Sequence, residues 1–374
     1  PFCKIKVVDF NPGSRVHIAN RLMNLRGWQP TEWGDDGYPK VDDEVLQSLP
    51  WPEAQTCARY LMIAKRLGQL ADGKGAVMNH VKDDGRVHGM VNTLGTVTGR
   101  MSHNEPNVAQ TPASYSPYGE HFRQCYEAAP GWKLVGCDAD GLEMRGLGHF
   151  MARFDDGAYI KSVIEGSKEE GTDAHTRNQK AIGLNSRDNA KTWLYAMVYG
   201  AGDEKLGVTV LDDFTEEQRK EYGNLGKQQL RKLGSSSRKR IEKGLPALGK
   251  LVEAVKDSAK KRDMVLYGLD GRPLTIRGLH SALNTVIQSS GAVIMKRALV
   301  IADQDAREAG LVPGRDWEFV ANVHDEAQAE CRPECAERLG EIFAESIRKA
   351  GEYYEFRCPL EGSCQIGTNW AETH

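Results

Sequence analysis

The segment Phe319-Val-Ala-Asn-Val-His-Asp-Glu-Ala-Gln-Ala329 decides the expected fold of this chain. Residues 319–323 and 327–329 have the alternating pattern of β-strands, and His324-Asp325-Glu326 between them predicts the tip of a hairpin. A hairpin pairs antiparallel strands. Because strands and helices elsewhere do not alternate as regular β-α-β units, we expect an α+β fold with a largely antiparallel sheet.

The rest of the chain shows helical periodicity and turn signals around this hairpin. An apolar strand follows Pro130-Gly131, and the helix that begins near Arg187 is stopped by Gly200 and Gly202. We predict helices over residues 14–25, 53–70, 141–154 and 187–199, a strand over 133–137, a loop over 30–40 and a flexible connection at Gly234-Ser-Ser-Ser237.

Length and composition exclude several protein classes. At roughly 150 residues per domain, 374 residues predict two or three structural units. A hydrophobic fraction of 40% with 27% charged residues excludes a mostly disordered chain. No run of about 18 apolar residues is present and the first 25 residues do not read as a signal peptide, so we expect a cytoplasmic protein with no membrane partner.

The charge is unevenly distributed. The formal net charge is −3, but residues 227–262 hold twelve Lys or Arg and only three acids. This stretch is either a solvated helical face or a strip that follows a phosphate backbone.

The eight cysteines include no CxxC pair. Buried or exposed thiols in a reducing compartment are the favoured interpretation. A structural zinc site that uses Cys331 and Cys335 is the alternative.

Two aspartates end apolar strands. Asp138 follows Leu-Val-Gly-Cys, and Asp325 lies at the hairpin tip. Each could be a simple turn former. If both belong to one sheet, their combined charge requires a divalent cation, and two such ions can catalyse phosphoryl transfer.

One helix carries a stripe of cations and phenols. Arg187, Lys191, Tyr195 and Tyr199 recur every four residues, which keeps them on one side. The stripe is either an ordinary amphipathic face or a surface on which a triphosphate meets the cations and a base meets the rings.

Five motifs occur in a fixed order along the chain. They are Thr98-Gly-Arg-Met-Ser102 with Pro106-Asn-Val-Ala-Gln110, Asp138-Ala-Asp-Gly-Leu-Glu-Met-Arg145, Arg187-Asp-Asn-Ala-Lys-Thr-Trp-Leu-Tyr-Ala-Met-Val-Tyr-Gly200, Asn284-x3-Gln288 and Val323-His-Asp-Glu326. Together they resemble the polymerase portion of family A DNA polymerases, most closely the replicative polymerases of short-tailed phages. The resemblance implies an open-hand fold with an antiparallel palm sheet, helical fingers and a partial thumb.

The resemblance also implies residue roles and partners. Two Mg²⁺ ions, replaceable by Mn²⁺, would be held by Asp138, Ala139 and Asp325, with Glu326 as a further catalytic carboxylate close by. The partners would be primer–template DNA and a dNTP. Residues expected to bind the nucleotide are Arg187, Lys191, Tyr195, Tyr199, His175 and Glu143; those expected to contact DNA are Arg100, Asn107, Gln110, Asn284, Gln288 and His324.

Two of these positions would select the substrate. By the resemblance, Glu143 lies against the 2′ position of the nucleotide and excludes a 2′-OH sterically. Tyr195 offers a hydrogen bond where the 3′-OH would be, which favours acceptance of dideoxynucleotides. Asp140 is an added acid where relatives usually carry an uncharged residue.

By the same resemblance, residues 1–83 form a partial thumb and its base, 84–153 and 283–374 the palm, and 154–282 the fingers. No proofreading exonuclease is recognised, so we expect polymerisation without proofreading and a separate exonuclease or processivity subunit as a partner. The alternatives are a single-subunit RNA polymerase, which Glu143 argues against, and a non-catalytic DNA-binding remnant of a polymerase.

Overall fold

The computed structural model describes residues 7–30, 32–34, 36–222 and 225–374, and only the backbone of Glu44 and Glu221. The chain divides into two units. The first comprises residues 1–90 with 104–107, and the second comprises residues 91–103 with 108–374.

The first unit is helical in its described part. Its helices are Arg15–Arg26 (α1), Asp43–Ser48 (α2) and Pro52–Leu67 (α3). The Ser14 hydroxyl accepts a hydrogen bond from the His17 amide and caps α1, as predicted. The predicted loop over residues 30–40 holds only an isolated bridge between Trp33 and Pro39 in its described residues, which exclude positions 31 and 35.

The second unit is built on a four-stranded antiparallel sheet. The strands of the chain are Met90–Asn92 (β1), Ser102–Asn104 (β2), Lys133–Ala139 (β3), Val265–Tyr267 (β4), Pro273–Thr275 (β5), Trp317–Val323 (β6), Glu326–Cys331 (β7) and Gly362–Gly367 (β8). The large sheet has the order β6-β7-β3-β8, with every neighbouring pair antiparallel. The predicted hairpin is β6–β7, so the expected α+β architecture is confirmed.

Helices cover this sheet and form a separate cluster beside it. They are Gly119–Gln124 (α4), Leu142–Asp155 (α5), Ala158–Ile164 (α6), Ala174–Ile182 (α7), Arg187–Val198 (α8), Asp203–Asp212 (α9), Glu216–Tyr222 (α10), Lys227–Gly244 (α11), Pro246–Lys261 (α12), Ala282–Glu308 (α13) and Ala336–Tyr353 (α14). The predicted helices over 141–154 and 187–199 are α5 and α8.

The two largest apolar cores of the second unit position the sheet and α8. The first packs α13 and α14 on the sheet, through buried residues such as Val135, Ile294 and Leu339. The second joins α5 to α7, α8, α9, α11 and α12 around Trp193 and Leu248. The sheet and α8 are therefore each fixed by an apolar core of their own.

The segment Leu279–Glu308, which contains α13, is the one described segment whose length and composition would suit a membrane span. Of its most apolar window, 67% is buried within the protein. The apolar character of α13 is therefore accounted for by core packing.

The prediction of a flexible connection at Gly234-Ser-Ser-Ser237 is wrong, because these residues lie inside α11. A Cβ added at Gly234 would come within 1.8 Å of the Asp203 carbonyl oxygen, so the missing side chain allows α11 to approach α9 closely. Ser237 is fully buried and accepts a hydrogen bond of 3.1 Å from the Trp193 indole nitrogen. The small residues therefore serve helix packing.

The cysteines also differ from expectation. Cys137 and Cys364, directly opposite each other on β3 and β8, are joined as a disulfide, whereas free thiols were predicted. Cys331 and Cys335 are buried and unpaired. Among the described residues no group of three or more His, Cys, Asp or Glu side chains is arranged to hold a metal, so the structure does not support the alternative zinc site.

Candidate active site

The two strand-end aspartates lie at the same end of the sheet. Asp138 is the penultimate residue of β3, and the next residue, Ala139, donates a backbone hydrogen bond of 3.1 Å to the carbonyl oxygen of Asp325. Asp325 belongs to the two-residue turn between β6 and β7. In this turn His324 has a φ of +60°, a left-handed conformation that glycine more often supplies. The turn therefore brings together two carboxylates that are far apart in sequence.

The electrostatics of the pair call for a cation. The surrounding protein removes hydration from Asp138 and, together with the charge of Asp325, raises its pKa to about 7. Burial, followed by the charge of Glu143, raises the pKa of Asp325 to about 6. Both pKa values rise because burial disfavours the ionised carboxylates and the neighbouring negative charges outweigh the nearby positive charges of His374 and Arg100.

The ligands expected from the resemblance are all oxygen donors, namely the two carboxylates and the backbone carbonyl of Ala139. Mg²⁺ prefers such ligands and usually completes its shell with water and substrate phosphates. The donor set therefore fits Mg²⁺ with a nucleotide bound beside it.

Glu143 connects this site to α8. It lies in the first turn of α5, and its side chain is only 12% exposed. Its Oε1 accepts hydrogen bonds of 2.8 Å from the Tyr199 hydroxyl and of 3.1 Å from the Arg100 guanidinium. The carboxylate is thus held in one position by donors from two other segments.

The predicted stripe lies along α8 as expected. Ser186 caps the helix, and the ring centroids of Tyr195 and Tyr199 lie 6.2 Å apart in a stacked arrangement. Burial is the first cause of the raised pKa values of both phenols. The charges of Glu143 and Asp325 also act on both of them, and the pKa of Tyr195 reaches about 12. The aromatic end of α8 therefore faces the carboxylates.

The cationic end of α8 lies beside the start of α7. Arg187 forms an ion pair of 2.8 Å with Asp173, which caps α7, and Lys191 is exposed. Burial, then the charges of Arg187 and Lys191, lower the pKa of His175, whose Nδ1 has no hydrogen-bond partner among the described residues. The three residues expected to bind the triphosphate are thus brought together.

Asp173 was not predicted from the sequence. Burial acts to raise the pKa of Asp173, but hydrogen bonds from Thr176 and Arg187 lower this pKa to about 2. Its place as an N-cap two residues before His175 is the sequence signal that could have found it.

The residues expected to contact DNA are distributed over several segments. Partial desolvation, then the charge of Arg100, lower the pKa of His324, so these two lie close together. Asn284 donates a hydrogen bond of 3.4 Å to the Tyr199 carbonyl, and Gln288 follows one turn later on α13. Gln110 is exposed at the end of a short helical turn in the second unit, whereas Asn107 belongs to the first unit.

Lys296 is a further residue that sequence patterns missed. It extends from α13 to the carbonyl oxygens of Thr93 and Gly99, at 2.5 and 2.6 Å, and so anchors the loop that precedes Arg100. The available signal was the pair Lys296-Arg297 in the middle of an otherwise apolar helix.

Glu326 and Asp140 make contacts of their own. The Glu326 side chain is buried, and both of its carboxylate oxygens are engaged by Trp370, Gln328 and His374. The added acid Asp140 accepts a hydrogen bond of 2.7 Å from Ser363.

Comparisons with known proteins agree on one family. The model of DNA polymerase family A matches residues 3–372. The DNA-directed DNA polymerases of Enterobacteria phage T3 and Escherichia phage T7 are each 39% identical to this chain, with 100% of the chain and 54% of each relative covered. The DNA polymerase I of Chloroflexus aurantiacus is 26% identical and is covered over 38% of its length.

A solved structure has the same fold. The POL domain of Pol1 from M. smegmatis, in complex with DNA primer–template and dNTP, superimposes with a TM-score of 0.78 at 22% identity, covering 97% of this chain and 62% of that one. The chain spans about half the length of the phage relatives it matches. The family model, which matches nearly the whole chain, shows that this chain belongs to DNA polymerase family A.

Proposed function

We propose that this chain is a template-directed DNA polymerase, in which the 3′-OH of a primer attacks the α-phosphorus of a paired dNTP and pyrophosphate leaves. The observation that carries the proposal is the close approach of Asp138 and Asp325, with the phenol end of α8 facing them. Carboxylates on one side and cations on the other are what a triphosphate and its metal ions require.

Asp138, Asp325 and the carbonyl of Ala139 would hold Mg²⁺, and Mn²⁺ suits the same oxygen ligands. When bound, two such ions activate the attacking hydroxyl and neutralise charge on the leaving group. Without them burial and the neighbouring carboxylates disfavour the ionised forms of both aspartates, as their raised pKa values indicate.

The residues of α7 and α8 would bind and orient the nucleotide. Arg187, Lys191 and His175 offer donors and positive charge to the triphosphate near the N-terminus of α8, where the helix dipole also favours anions. Tyr195 and Tyr199 would lie at the sugar and base. To bind the phosphates, the Arg187 guanidinium has to give up some of its contacts with the Asp173 carboxylate.

The remaining roles concern DNA and the choice of sugar. Because Tyr199 and Arg100 fix Glu143, its side chain would exclude a 2′-OH and favour deoxynucleotides. The residues proposed to contact primer or template near the primer end are Arg100, Asn107, Gln110, Asn284, Gln288 and His324.

Primer extension by the isolated chain tests the function. Four templates that differ only in the first templating base are offered each dNTP and each rNTP in Mg²⁺, with EDTA as a control. We expect the complementary dNTP to be added in each case, and nothing in EDTA. Addition that ignores the template, preference for rNTPs, or DNA binding without extension would overturn the proposal.

We also propose that this chain does not proofread, because the family A polymerase match covers nearly all of it. With a mismatched primer and no dNTP, we expect no 3′→5′ shortening. Metal-dependent shortening by the purified chain would contradict this.

A further inference from the structure

A buried polar cluster surrounds Glu326 on the same face of the sheet as the aspartates. Trp370 Nε1 and Gln328 Nε2 donate hydrogen bonds to Oε1 at 2.5 and 2.6 Å, and His374 Nδ1 lies 2.9 Å from Oε2. Glu326 is 3% exposed, so water does not compete for these oxygens. We call Trp370, Gln328, His374 and Arg123 the Glu326 clamp.

Arg123 completes the clamp. Its guanidinium carbon lies 4.5 Å from the centre of a Trp370 ring, and its Nη1 lies 3.9 Å from Glu326 Oε2. Arg123 Nε donates to the Pro112 carbonyl at 3.0 Å, and the residue is 5% exposed. A buried carboxylate would be costly alone, but here it meets a stacked cation and three donors.

The position of Glu326 in the chain links the clamp to the catalytic carboxylates. Glu326 follows Asp325 directly and stands opposite Asp138 in the β3–β7 pair. Residues directly opposite in an antiparallel pair have Cβ atoms only about 4.5–5.5 Å apart. A Glu326 side chain released from the clamp would therefore place a third negative charge beside Asp138.

We propose that Trp370, Gln328 and His374 are positioning residues of the polymerase centre. They hold Glu326 as a buried structural anion and thereby fix the His324–Asp325 turn against Asp138. This role, which rests on the function proposed above, differs from that of a third metal-binding carboxylate, because both Glu326 oxygens are already engaged within the protein. The clamp residues come from α4, β7 and the segment after β8 and not from α7 or α8, so they should act on the reacting centre more than on nucleotide binding.

A double-mutant cycle tests the clamp. Trp370→Phe keeps a buried ring and removes the indole N–H, and Glu326→Gln removes the charge that it serves. Trp317→Phe is the matched control, because Trp317 is 1% exposed in the same sheet and its Nε1 has no partner among the described residues. Single-turnover primer extension at several dNTP concentrations gives the maximal rate of addition (kcat) and the dNTP concentration at half that rate (KM) for each variant. Urea denaturation gives the midpoint concentration of unfolding.

We expect Trp370→Phe to lower kcat about tenfold or more, as loss of an orienting partner commonly does, with the dNTP KM within threefold of wild type. The double variant should be no slower than Glu326→Gln alone, because both remove the same interaction. Trp317→Phe should stay within twofold. An unchanged kcat in Trp370→Phe, or losses that multiply in the double variant, would overturn the proposal.

His374 provides a second route if Trp370→Phe does not fold, because its side chain is 33% exposed and tolerates truncation. His374→Ala should lower kcat severalfold without shifting KM, and His374→Gln, which keeps a donor, should restore most of it. Equal activity of His374→Ala and wild type would contradict the clamp. Inactivity of wild type itself would instead refute the polymerase function, so the two failures are distinguishable.

Discussion

The backbone amide of Ala139 donates a hydrogen bond of 3.1 Å to the carbonyl oxygen of Asp325. This bond joins the end of β3 to the turn between β6 and β7, and it places Asp325 beside Asp138. Burial and the charge of Asp325 raise the pKa of Asp138, whereas burial and the charge of Glu143 raise the pKa of Asp325.

The metal-free protein should be strained by these two carboxylates. Their folded-state pKa values, about 7 for Asp138 and about 6 for Asp325, exceed the value of about 3.9 for an unfolded Asp. Their contribution to stability is therefore full below about pH 4 and is lost as the pH rises through about 6 and 7.

Asp325→Asn should consequently raise the Tm of the metal-free protein at pH 8, by roughly 2–4 °C, the shift that about 1 kcal/mol gives in domains of 150–250 residues. At about pH 3.5 the difference should nearly vanish, because Asp325 is then mostly protonated in both the folded and the unfolded state. Thermal unfolding in EDTA measures this, with Asp303→Asn, an exposed acid paired with Arg307, as the control. A lower Tm at pH 8, or the same shift at both pH values, would be inconsistent with the crowded pair.

Glu143 should control the choice of sugar. Glu143→Ala removes the side chain that Tyr199 and Arg100 hold in place, so a 2′-OH would meet open space. The ratio of kcat/KM for rNTP to that for dNTP should rise at least about tenfold, the discrimination expected from about 1.4 kcal/mol. Glu204→Ala, which removes an acid paired with Arg231 instead, should leave the ratio unchanged. A ratio that stays at the wild-type value in Glu143→Ala would remove Glu143 from the sugar site.

Tyr195 should control acceptance of dideoxynucleotides. Burial and the charges of Glu143 and Asp325 raise its pKa to about 12, so the phenol keeps its proton at pH 8 and is able to donate a hydrogen bond. Tyr195→Phe should lower ddNTP relative to dNTP incorporation about tenfold, the worth of one hydrogen bond. Competition between ddNTP and dNTP on one primer measures it, with the exposed Tyr267→Phe as the control. Equal ratios for Tyr195→Phe and wild type would argue against this placement.

The helix α11 should contribute to DNA affinity. Lys232, Lys239 and Lys243 are exposed and spaced by seven and four residues, so they lie on one face of the helix. If they follow a phosphate backbone, the double variant Lys239→Glu, Lys243→Glu should bind DNA more weakly. The slope of log K against the logarithm of the salt concentration should then become less negative by roughly 1.8, which is about 0.9 for each lost phosphate contact. Fluorescence anisotropy at several salt concentrations decides between this and a merely solvated face, for which the slope would not change.

Much of the fold could be predicted because it depends on local patterns. The alternation in residues 319–323, the Ser14 cap and the glycines after Tyr199 each specify an element through nearby residues alone. The structure places these elements within a few residues of the predicted bounds.

What the sequence did not reveal depends on distant contacts. Gly234 to Ser237 look like a linker, but Asp203 and Trp193 from other helices make them a packing surface. Cys137 and Cys364 meet only because β3 and β8 are neighbours in a particular register.

Glu326 is the clearest example within the candidate site. From the motif it was expected as a third carboxylate near the metal ions. Its burial depends on Arg123, Trp370 and His374, and no spacing in the sequence links those residues to it.

We propose that Asp138 and Asp325 act together to hold the ions that drive nucleotide addition. The most direct measurement is the single-turnover rate of dNTP addition in Mg²⁺ by wild type, Asp325→Asn and the control Asp303→Asn. Because metal catalysis lowers the reaction barrier by several kcal/mol, the rate of addition by Asp325→Asn should fall about 10³-fold or more, whereas the control should add dNTP at the wild-type rate. Addition by Asp325→Asn at the wild-type rate would contradict the account.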